Sequence, residues 1–268
     1  MAAAKKKGTA IVNYNEKMAQ YAKQFAEAEK NVGGGSFFSM KSGVLSYQDN
    51  PLPGNEMAVI IVDYVLENVF YEGDYDPDVQ ASPSCFAFGR DDDSMAPHDS
   101  VLEAGTQQND VCHGCPMNEF GSADKGKGKA CKNTRRIAMI PAGKFLKDGS
   151  LDMIEDTDHY LSAEVGYMKL PVTSVKGFSS FVKQVATNLK RPPFGVVTKV
   201  KVVPDANSQF KVLFEALVEV PDELMEAIFK RNEEVEATIS FPYQPQSVDE
   251  APKKKGVKSK APAKKRKF

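Results

Sequence analysis

The chain has 268 residues, of which 41% are hydrophobic and 26% are charged, and its formal net charge is −1 at pH 7. This is the composition of an ordinary soluble protein, and the length is enough for one large domain or two small ones. No apolar run approaches the roughly 20 residues of a membrane span, and no apolar segment follows the N-terminal lysines as in a signal peptide. We therefore expect a cytoplasmic protein without a membrane partner.

The small net charge hides an asymmetry between the body of the chain and its end. Residues 249–268 contain nine Lys or Arg and two acids, so this tail carries +7 and leaves about −8 for residues 1–248. An acidic body excludes one uniformly basic face. Any contact with nucleic acid must therefore use a local patch, such as residues 125–136, or the tail.

The first predicted elements are a helix and several strands. A helix is predicted over residues 14–30 that ends at a run of glycines, with an apolar face of Met18, Tyr21, Ala22, Phe25 and Ala26. Residues 36–48 alternate weakly around a glycine, as a bent strand would, and residues 51–54 form a turn. Residues 56–71 are apolar and β-branched enough for one long strand or two, and residues 84–89 predict a short strand.

The second half of the chain alternates between strands and helices. Strands are predicted at residues 135–141 and 167–172, and an antiparallel pair at 195–205 and 209–220. Residues 147–159 are an acidic surface loop. Helices are predicted at 173–189, with a shared face of Phe178, Phe181, Val182 and Val185, and at 221–237, with acids near the start.

These elements predict an α+β protein that is mainly β with flanking helices. The predicted organisation is an N-terminal helix and linker over 1–35 and a folded domain over 36–242. A disordered tail rich in Pro, Lys and Ala covers 243–268. The folded domain contains an insertion at about 85–135 that is polar and nearly devoid of β-branched residues. Such a segment cannot form a core by itself, so it is a disordered loop unless something cross-links it.

The four cysteines of the chain flank or lie in this insertion, with the spacing C-x26-C-x2-C-x15-C. They are Cys85, Cys112, Cys115 and Cys131. A C-x2-C knuckle with a glycine inside it is the geometry that grips one tetrahedral zinc ion, and four thiolates leave no position open for a catalytic water. Disulfides are disfavoured in a cytoplasm. The sequence therefore predicts a structural zinc site, with His98 and His113 as weaker alternatives for one ligand.

The stretch GSADKGKGKACKNTRR at residues 121–136 partly matches the phosphate-binding P-loop motif. A P-loop needs Ser or Thr after its lysine to hold magnesium, and that position is Gly128. Motifs of serine hydrolases, zinc proteases and zinc deaminases are absent from the sequence. The acids Asp91, Asp92 and Asp93 could bind magnesium, but the sequence favours a solvated turn. We expect no catalytic site.

The same stretch is a candidate phosphate contact. Cys131 anchors it to the predicted metal, and its cations are Lys125, Lys127, Lys129, Lys132, Arg135 and Arg136. A flexible soluble loop is the alternative. Nearby aromatic side chains could stack on bases, each contributing about 1–3 kcal/mol. They are Tyr71, Tyr75, Phe86, Phe88 and Phe120, and Phe86 and Phe88 alternate with Cys85 and Ala87, so either set could face the core.

The succession SCFAFG, CHGCPMNEFGSADKGKGKACKNTRRIAMIP, YMKLPVTSVKGFSSFV and GVVTKVKV resembles a family of bacteriophage single-stranded-DNA-binding proteins, over residues 36–240. The resemblance implies an OB-fold barrel with a zinc ribbon inserted in it, and a GKGKAC segment near the DNA groove. It implies that Cys85, Cys112, Cys115 and Cys131 hold zinc. It also implies that the protein acts together with phage replication or recombination proteins in the infected bacterium.

The C-terminus departs from that family. Many single-strand binders end in an acidic tail, whereas this chain ends in KKKGVKSKAPAKKRKF, which suggests that the tail adds electrostatic affinity for DNA. The leading hypothesis is a non-catalytic protein that coats single-stranded DNA with little sequence preference. The alternatives are a zinc-ribbon regulator that binds duplex DNA and a nuclease that uses the acidic clusters.

Overall fold

The computed structural model describes Met18, Tyr21 and residues 37–73, 81–124 and 126–243. Its strands in chain order are β1 (Phe38–Ser39), β2 (Ser46–Tyr47), β3 (Asn50–Pro51), β4 (Glu56–Phe70), β5 (Cys85–Gly89), β6 (Lys132–Phe145), β7 (Leu151–Met153), β8 (Gly166–Leu170), β9 (Val196–Asp205) and β10 (Gln209–Glu219). Its α-helices are α1 (Asp99–Ala104), α2 (Thr157–Ser162), α3 (Val172–Gln184) and α4 (Asp222–Glu236). A π-helical turn, Val185–Leu189, continues α3. The protein is thus mainly β with flanking helices.

Seven antiparallel strands form the main sheet, in the order β10-β9-β4-β6-β7. The C-terminal end of β4, from Leu66 to Phe70, pairs with β5, and β8 pairs with β6. Within the described residues, no ladder joins β10 to β7 or β8, so hydrogen bonds do not close this sheet into a barrel. The short strands β1, β2 and β3 form a separate sheet, and an isolated bridge from Phe37 to Tyr167 connects it to the main one.

Strand β4 is the centre of the core because both of its faces are covered. Ala58, Ile60 and Val62 pack on one side with α4, and Val59 and Ile61 pack on the other side with α3. Each of these side chains is at most 2% exposed. Burying an aliphatic side chain of this size contributes roughly 1.5–3 kcal/mol. A strand buried on both faces has a continuous apolar sequence rather than an alternating one, as residues 57–62 do.

The two long helices cover opposite faces of the sheet. Phe178, Phe181 and Val185 are buried on the α3 side, and Val182 is partly buried against the same cluster, so the predicted helical face is confirmed. On the other side, α4 buries Leu224, Ala227, Ile228 and Val235. Asp222 and Glu223 occupy the first turn of α4, where carboxylates interact favourably with the positive end of the helix dipole.

Several predicted elements are confirmed. Residues 56–70 form one strand rather than two, the short strand at 84–89 is β5, and β9 and β10 form the predicted antiparallel pair. Strand β6 is longer than predicted at both ends. The helix predicted at 14–30 lies outside the described residues apart from Met18 and Tyr21, and so does the tail from residue 244.

Two predicted elements are wrong. Residues 36–48 are not one bent strand, because a 3-10 turn at Lys41–Gly43, with positive φ at Ser42 and Gly43, separates β1 from β2. The acidic segment 147–159 is not only a loop, since it contains β7 and the first turn of α2. The Asp156 side chain caps α2 by accepting a hydrogen bond from the Asp158 backbone N–H.

The last described residue packs on the folded domain. Tyr243, assigned from the sequence to the disordered tail, packs against Phe86 and Phe88 and bonds to Glu67. No helix in the described parts of the chain is long and apolar enough to cross a membrane.

Candidate metal and nucleic-acid site

The insertion between β5 and β6 buries Met95 and Val101, and backbone hydrogen bonds hold much of the rest. The His98 N–H donates to the Phe86 carbonyl of β5 at 2.9 Å, and the Cys112 N–H donates to the Met95 carbonyl at 2.9 Å. The Cys131 N–H donates to the Met117 carbonyl at 2.7 Å. Among the described residues of this segment, the short helix α1 and a 3-10 turn at Pro116–Asn118 are the only regular elements. We call residues 90–131 the arm.

The four cysteines line a single small cavity of about 20 Å³, together with Asn68 and Phe70 of β4. Cys85 is the first residue of β5 and pairs with Phe70, while Cys131 immediately precedes β6. Cys112 and Cys115 form a tight turn in which the Cys115 N–H donates to the Cys112 carbonyl at 3.3 Å. Gly114 in that turn has φ +70°, a conformation that strains residues with a side chain. Two strand ends and a knuckle thus meet at one cavity.

The cysteine thiols are electrostatically coupled. Burial, reinforced by the neighbouring cysteines, raises the pKa of Cys131 to about 12. Burial is also the main reason that the pKa values of Cys85 and Cys112 are raised. Buried thiolates that line one cavity repel one another unless a cation compensates their charge. The donor set is therefore one that suits a soft divalent ion such as zinc.

The cavity is not a formed ligand shell. Among the residues that the structure describes, no group of three or more His, Cys, Asp or Glu side chains is arranged to hold a metal ion. All four cysteines are free rather than paired in disulfides. Zinc consequently remains a proposal, which rests on the four thiols around the cavity.

The two alternative histidine ligands are engaged elsewhere. His98 caps α1 by accepting a hydrogen bond from the Ser100 N–H at 3.2 Å, and its ring stacks on Phe86 with centroids 5.3 Å apart. His113 points outward, with its Nδ1 atom 3.4 Å from the Asp93 carboxylate and its side chain 74% exposed. Neither ring lines the cysteine cavity.

The triple acid is a solvated turn. The Asp91 carboxylate accepts a hydrogen bond from the Asp93 N–H at 3.5 Å, and all three aspartates are exposed.

The basic loop of the arm brings an aromatic ring and lysines together. Phe120 is 81% exposed, and the Lys129 Nζ atom lies 5.2 Å from the centre of its ring. Lys129 also donates to the Asn118 Oδ1 atom at 3.2 Å, which fixes the ammonium group. Lys127 and Lys132 are exposed. Lys125 lies outside the described residues.

The backbone of this loop is closed on itself. The N–H groups of Gly121 and Ala123 both donate to the Gly128 carbonyl, at 2.9 and 3.2 Å. The Ser122 hydroxyl accepts from the Ala130 N–H at 2.9 Å and donates to the Glu119 carbonyl at 2.7 Å. Among the described residues of the loop, these bonds and the Lys129 contacts connect Phe120, Ser122 and Lys129.

Arg136 is not a surface cation, contrary to the prediction. Its side chain is 1% exposed, and its Nη2 atom lies 2.8 Å from the Glu67 Oε1 atom. Neighbouring residues on a strand point to opposite faces, so Arg135 lies on the other side of β6. Arg135 is partly buried, donates to the Thr134 carbonyl at 2.7 Å, and has a pKa lowered by burial. Of the two arginines, only Arg135 stays a candidate.

The predicted stacking aromatics divide into two groups. Phe86 is 5% exposed and packs with Val69 and Val101, and Phe88 is partly buried beside it, so neither offers a free face. Tyr71 is 36% exposed just beyond the end of β4. Tyr75 lies outside the described residues.

Lys169 is a candidate contact that sequence reasoning missed. Its Nζ atom donates to the Tyr71 hydroxyl at 2.8 Å and lies 5.1 Å from the centre of the Tyr71 ring. Lys169 and Tyr71 are 98 residues apart in the chain. The only available signal was one lysine within the apolar strand YMKLP.

A larger cavity of about 720 Å³ lies between the small sheet and the main one, lined by Phe38, Tyr47, Met57 and Phe145 among others. Its nearby lysines are paired with acids. Lys199 and Lys201 both contact the Glu56 carboxylate, at 3.2 and 2.8 Å, and Lys144 contacts Asp152 at 3.2 Å. These three lysines therefore have their charges compensated by neighbouring acids.

Comparisons of this chain with protein-family models, with curated proteins and with solved structures give no match. A functional proposal must therefore be argued from the chain's own residues.

Proposed function

We propose that the protein is a non-catalytic single-stranded-DNA-binding protein, in which the arm presents Phe120 and its lysines to the strand. The exposed Phe120 ring beside Lys129 is the observation that carries the proposal. An aromatic ring with a free face can stack on a base, which contributes about 1–3 kcal/mol per base. The lysines beside it can neutralise phosphates of the same strand.

The proposal favours single strands over duplex DNA. Every base of a duplex is already stacked on its neighbours, so an exposed ring gains a stacking partner only from an unpaired strand. Tyr71 with Lys169 offers a second ring and cation of the same kind. Tyr71 directly follows β4, and Phe70 of the same strand end lines the cysteine cavity at the base of the arm.

Zinc is part of the proposal as a structural ion. Cys85, Cys112, Cys115 and Cys131 would hold it, because they line one cavity of about 20 Å³, which has room for a single ion. Zinc would compensate the thiolate charges and so fix the arm to the ends of β5 and β6. Structural zinc contributes on the order of 10 kcal/mol of apparent binding free energy, enough to order a segment without a core.

The finer fold assignment also belongs to the proposal. We assign the domain to the OB-type barrels with a zinc ribbon inserted after β5. Register shifts between Ala58 and Val59 and between Ile61 and Asp63 support this, because bulges bend a long strand as a barrel requires. The setting implied by the sequence resemblance is phage DNA replication or recombination in the cytoplasm of an infected bacterium.

A fluorescence-anisotropy titration tests the function. The full chain is titrated against labelled oligo(dT) and against a duplex of equal length, over a series of salt concentrations. We expect tighter binding to oligo(dT) and a log–log salt slope of about −0.7 per phosphate contacted. Equal or tighter binding to the duplex would overturn the proposal in favour of a duplex-binding regulator. Magnesium-dependent cleavage that disappears on combined substitution of Asp91, Asp92 and Asp93 by Ala would point to a nuclease.

A further inference from the structure

Lys169 lies opposite another cation in the main sheet. Strands β8 and β6 pair so that Lys169 is the direct cross-strand partner of Arg136. Like charges directly opposite each other destabilise a sheet. The Glu67 carboxylate compensates Arg136, since its Oε1 atom lies 2.8 Å from the Arg136 Nη2 atom. Among the described residues, no carboxylate forms an ion pair with Lys169, so the positive charge of Lys169 is uncompensated there.

Neutral groups hold the Lys169 ammonium group in place. Its Nζ atom donates to the Tyr71 hydroxyl at 2.8 Å. The same atom lies 5.1 Å from the ring centre of Tyr71 and 5.1 Å from that of Tyr243. An aromatic face attracts a cation through its quadrupole and leaves the charge of the cation unchanged. The ammonium group is therefore fixed in position and still able to bind an anion.

Tyr243 is itself held by the buried ion pair. Its hydroxyl donates to the Glu67 Oε1 atom at 2.7 Å, and its ring packs edge-on against Phe86, with centroids 5.1 Å apart. Burial, reinforced by the Glu67 carboxylate, raises the pKa of Tyr243, so the hydroxyl keeps the proton that it donates. The Nε and Nη2 atoms of Arg136 donate to the same Glu67 oxygen, at 3.1 and 2.8 Å. These bonds define the position of the ring that contacts Lys169.

Lys169 and Tyr71 present adjacent hydrogen-bond donors at the surface. The Tyr71 oxygen accepts from Lys169, so the Tyr71 O–H group can donate its own proton to a further acceptor. Tyr71 is 36% exposed, and the Lys169 ammonium group has N–H donors beyond the one that Tyr71 uses. An anion with several acceptor oxygens fits such a pair of donors, and a backbone phosphate of a nucleic acid is an anion of this kind.

We infer that Lys169 and Tyr71 form a binding site for one backbone phosphate of the single strand, and that Tyr243 is the positioning residue that fixes the Lys169 ammonium group there. This inference rests on the proposed function, and it assigns the Tyr71 hydroxyl to a phosphate. A cation placed opposite another cation and held by neutral groups disfavours the fold locally. Proteins retain such local conflicts mainly at functional sites.

Fluorescence anisotropy on labelled oligo(dT), over a series of salt concentrations, tests the phosphate site. Lys169→Met should weaken binding about tenfold at low salt, because a charge-assisted hydrogen bond is lost. It should also make the log–log salt slope shallower by about 0.7. Lys169→Arg keeps the charge and should keep the slope. Tyr71→Phe keeps the ring and removes the hydroxyl, so it should weaken binding about fivefold without changing the slope.

A matched control for Lys169 is Lys199. The Lys199 Nζ atom also lies over an aromatic ring, 4.5 Å from the centre of Phe145, but it is paired with the Glu56 carboxylate at 3.2 Å. Lys199→Met should therefore leave both the affinity and the salt slope unchanged.

Tyr243→Phe tests the positioning role, because it keeps the ring and removes the hydrogen bond to Glu67. It should weaken binding about threefold in the full chain and have no effect in the Lys169→Met variant, since coupled residues act through one contact. Tyr160→Phe, which removes another buried tyrosine hydrogen bond, to the Ile154 carbonyl, is the control and should leave binding unchanged. Equal effects of Tyr243→Phe with and without Lys169 would overturn the positioning role.

The outcomes separate the inference from the function. A full chain that does not bind oligo(dT) overturns the proposed function, and the inference with it. Binding to oligo(dT) with the same salt slope in the full chain and in Lys169→Met overturns the inference alone. Tyr71→Phe that binds as tightly as the full chain, with Tyr71→Ala weakened, would assign Tyr71 to stacking and overturn its phosphate contact. Circular dichroism checks the fold of each protein, and Lys169→Gln replaces Lys169→Met if the latter does not fold.

Discussion

The Lys129 ammonium group lies 5.2 Å from the centre of the Phe120 ring, and the two residues extend from a loop that closes on its own backbone. A cation over an aromatic face contributes about 0.5–1 kcal/mol at an exposed site. Lys129 covers one face of the Phe120 ring and stabilises its position slightly. The other face is open for stacking on a base.

Phe120→Ala should weaken binding to oligo(dT) about 5- to 150-fold, since it removes a stacking interaction of about 1–3 kcal/mol. Binding is measured by anisotropy at fixed salt. Phe229→Ala is the matched control, because Phe229 is a half-exposed phenylalanine on α4 outside the arm. Equal affinities of the Phe120 and Phe229 variants would remove Phe120 from the interface.

Replacing Lys127 and Lys129 together by Ala should weaken binding to all single-stranded sequences alike. The salt slope should become shallower by about 1.4, because two phosphate contacts at about 0.7 each are lost. Lys183→Ala with Lys230→Ala is the control pair, since both lysines are exposed on the long helices. An unchanged slope in the arm variant would contradict phosphate contact by this loop.

Purified protein should contain one zinc ion per chain, measured by elemental analysis. Cys112→Ser or a strong chelator should release it and open residues 90–131 to proteolysis, since this segment has no core of its own. His113→Ala is the control and should keep its zinc, because that ring points outward. Protein that carries no metal, with four reactive thiols and a protease-resistant arm, would refute the zinc proposal.

Arg136→Met should lower the free energy of unfolding by about 3–5 kcal/mol, because it leaves the Glu67 carboxylate buried without its counter-ion. Adding Glu67→Leu should recover much of that loss. Urea unfolding measures both. Arg135→Met should cost far less, since that side chain is only partly buried. A small effect of Arg136→Met would show that the ion pair is not closed in solution.

Stability should fall as the pH rises from about 10 to about 12. Burial, reinforced by Glu155, raises the pKa of Tyr160 from 10.0 to about 12. Between these values the unfolded chain releases the phenol proton and the folded chain keeps it, so raising the pH favours unfolding. In the Tyr160→Phe variant, the free energy of unfolding should fall less steeply with pH in this window. Part of the pH dependence should remain, because the pKa of Tyr47 is similarly raised. Urea unfolding at pH 9 to 11.5 checks this, and parallel curves for both proteins would contradict it.

The core elements could be predicted because their signals are local. Residues 57–62 are apolar at every position, which predicts a strand buried on both faces. The spacing of Phe178, Phe181 and Val185 predicts a helix with one buried face. Short pieces gave weaker signals. Two-residue strands such as β1 and β2 form only where distant segments pair with them, and no periodicity exists over such a length.

The candidate site was predictable in part. The cysteine spacing indicated that all four thiols belong together, and they do line one cavity. Adjacent arginines, in contrast, look alike in a sequence, and only the registry of β6 with β4 decides that Arg136 is buried and Arg135 is not. Lys169 meets Tyr71 through the fold alone, which a linear reading does not show.

Strands β5 and β6 lie on either side of β4, and the arm leaves one and enters the other. Both of its attachment points are therefore set by ladders that do not depend on what lies between them. Segments with such independently anchored ends can be lengthened, shortened or exchanged without shifting the register of the sheet. The exposed loop of the arm can therefore change in length and surface chemistry without moving these ladders, whereas the buried Met95 and Val101 tie the first half of the arm to the interior.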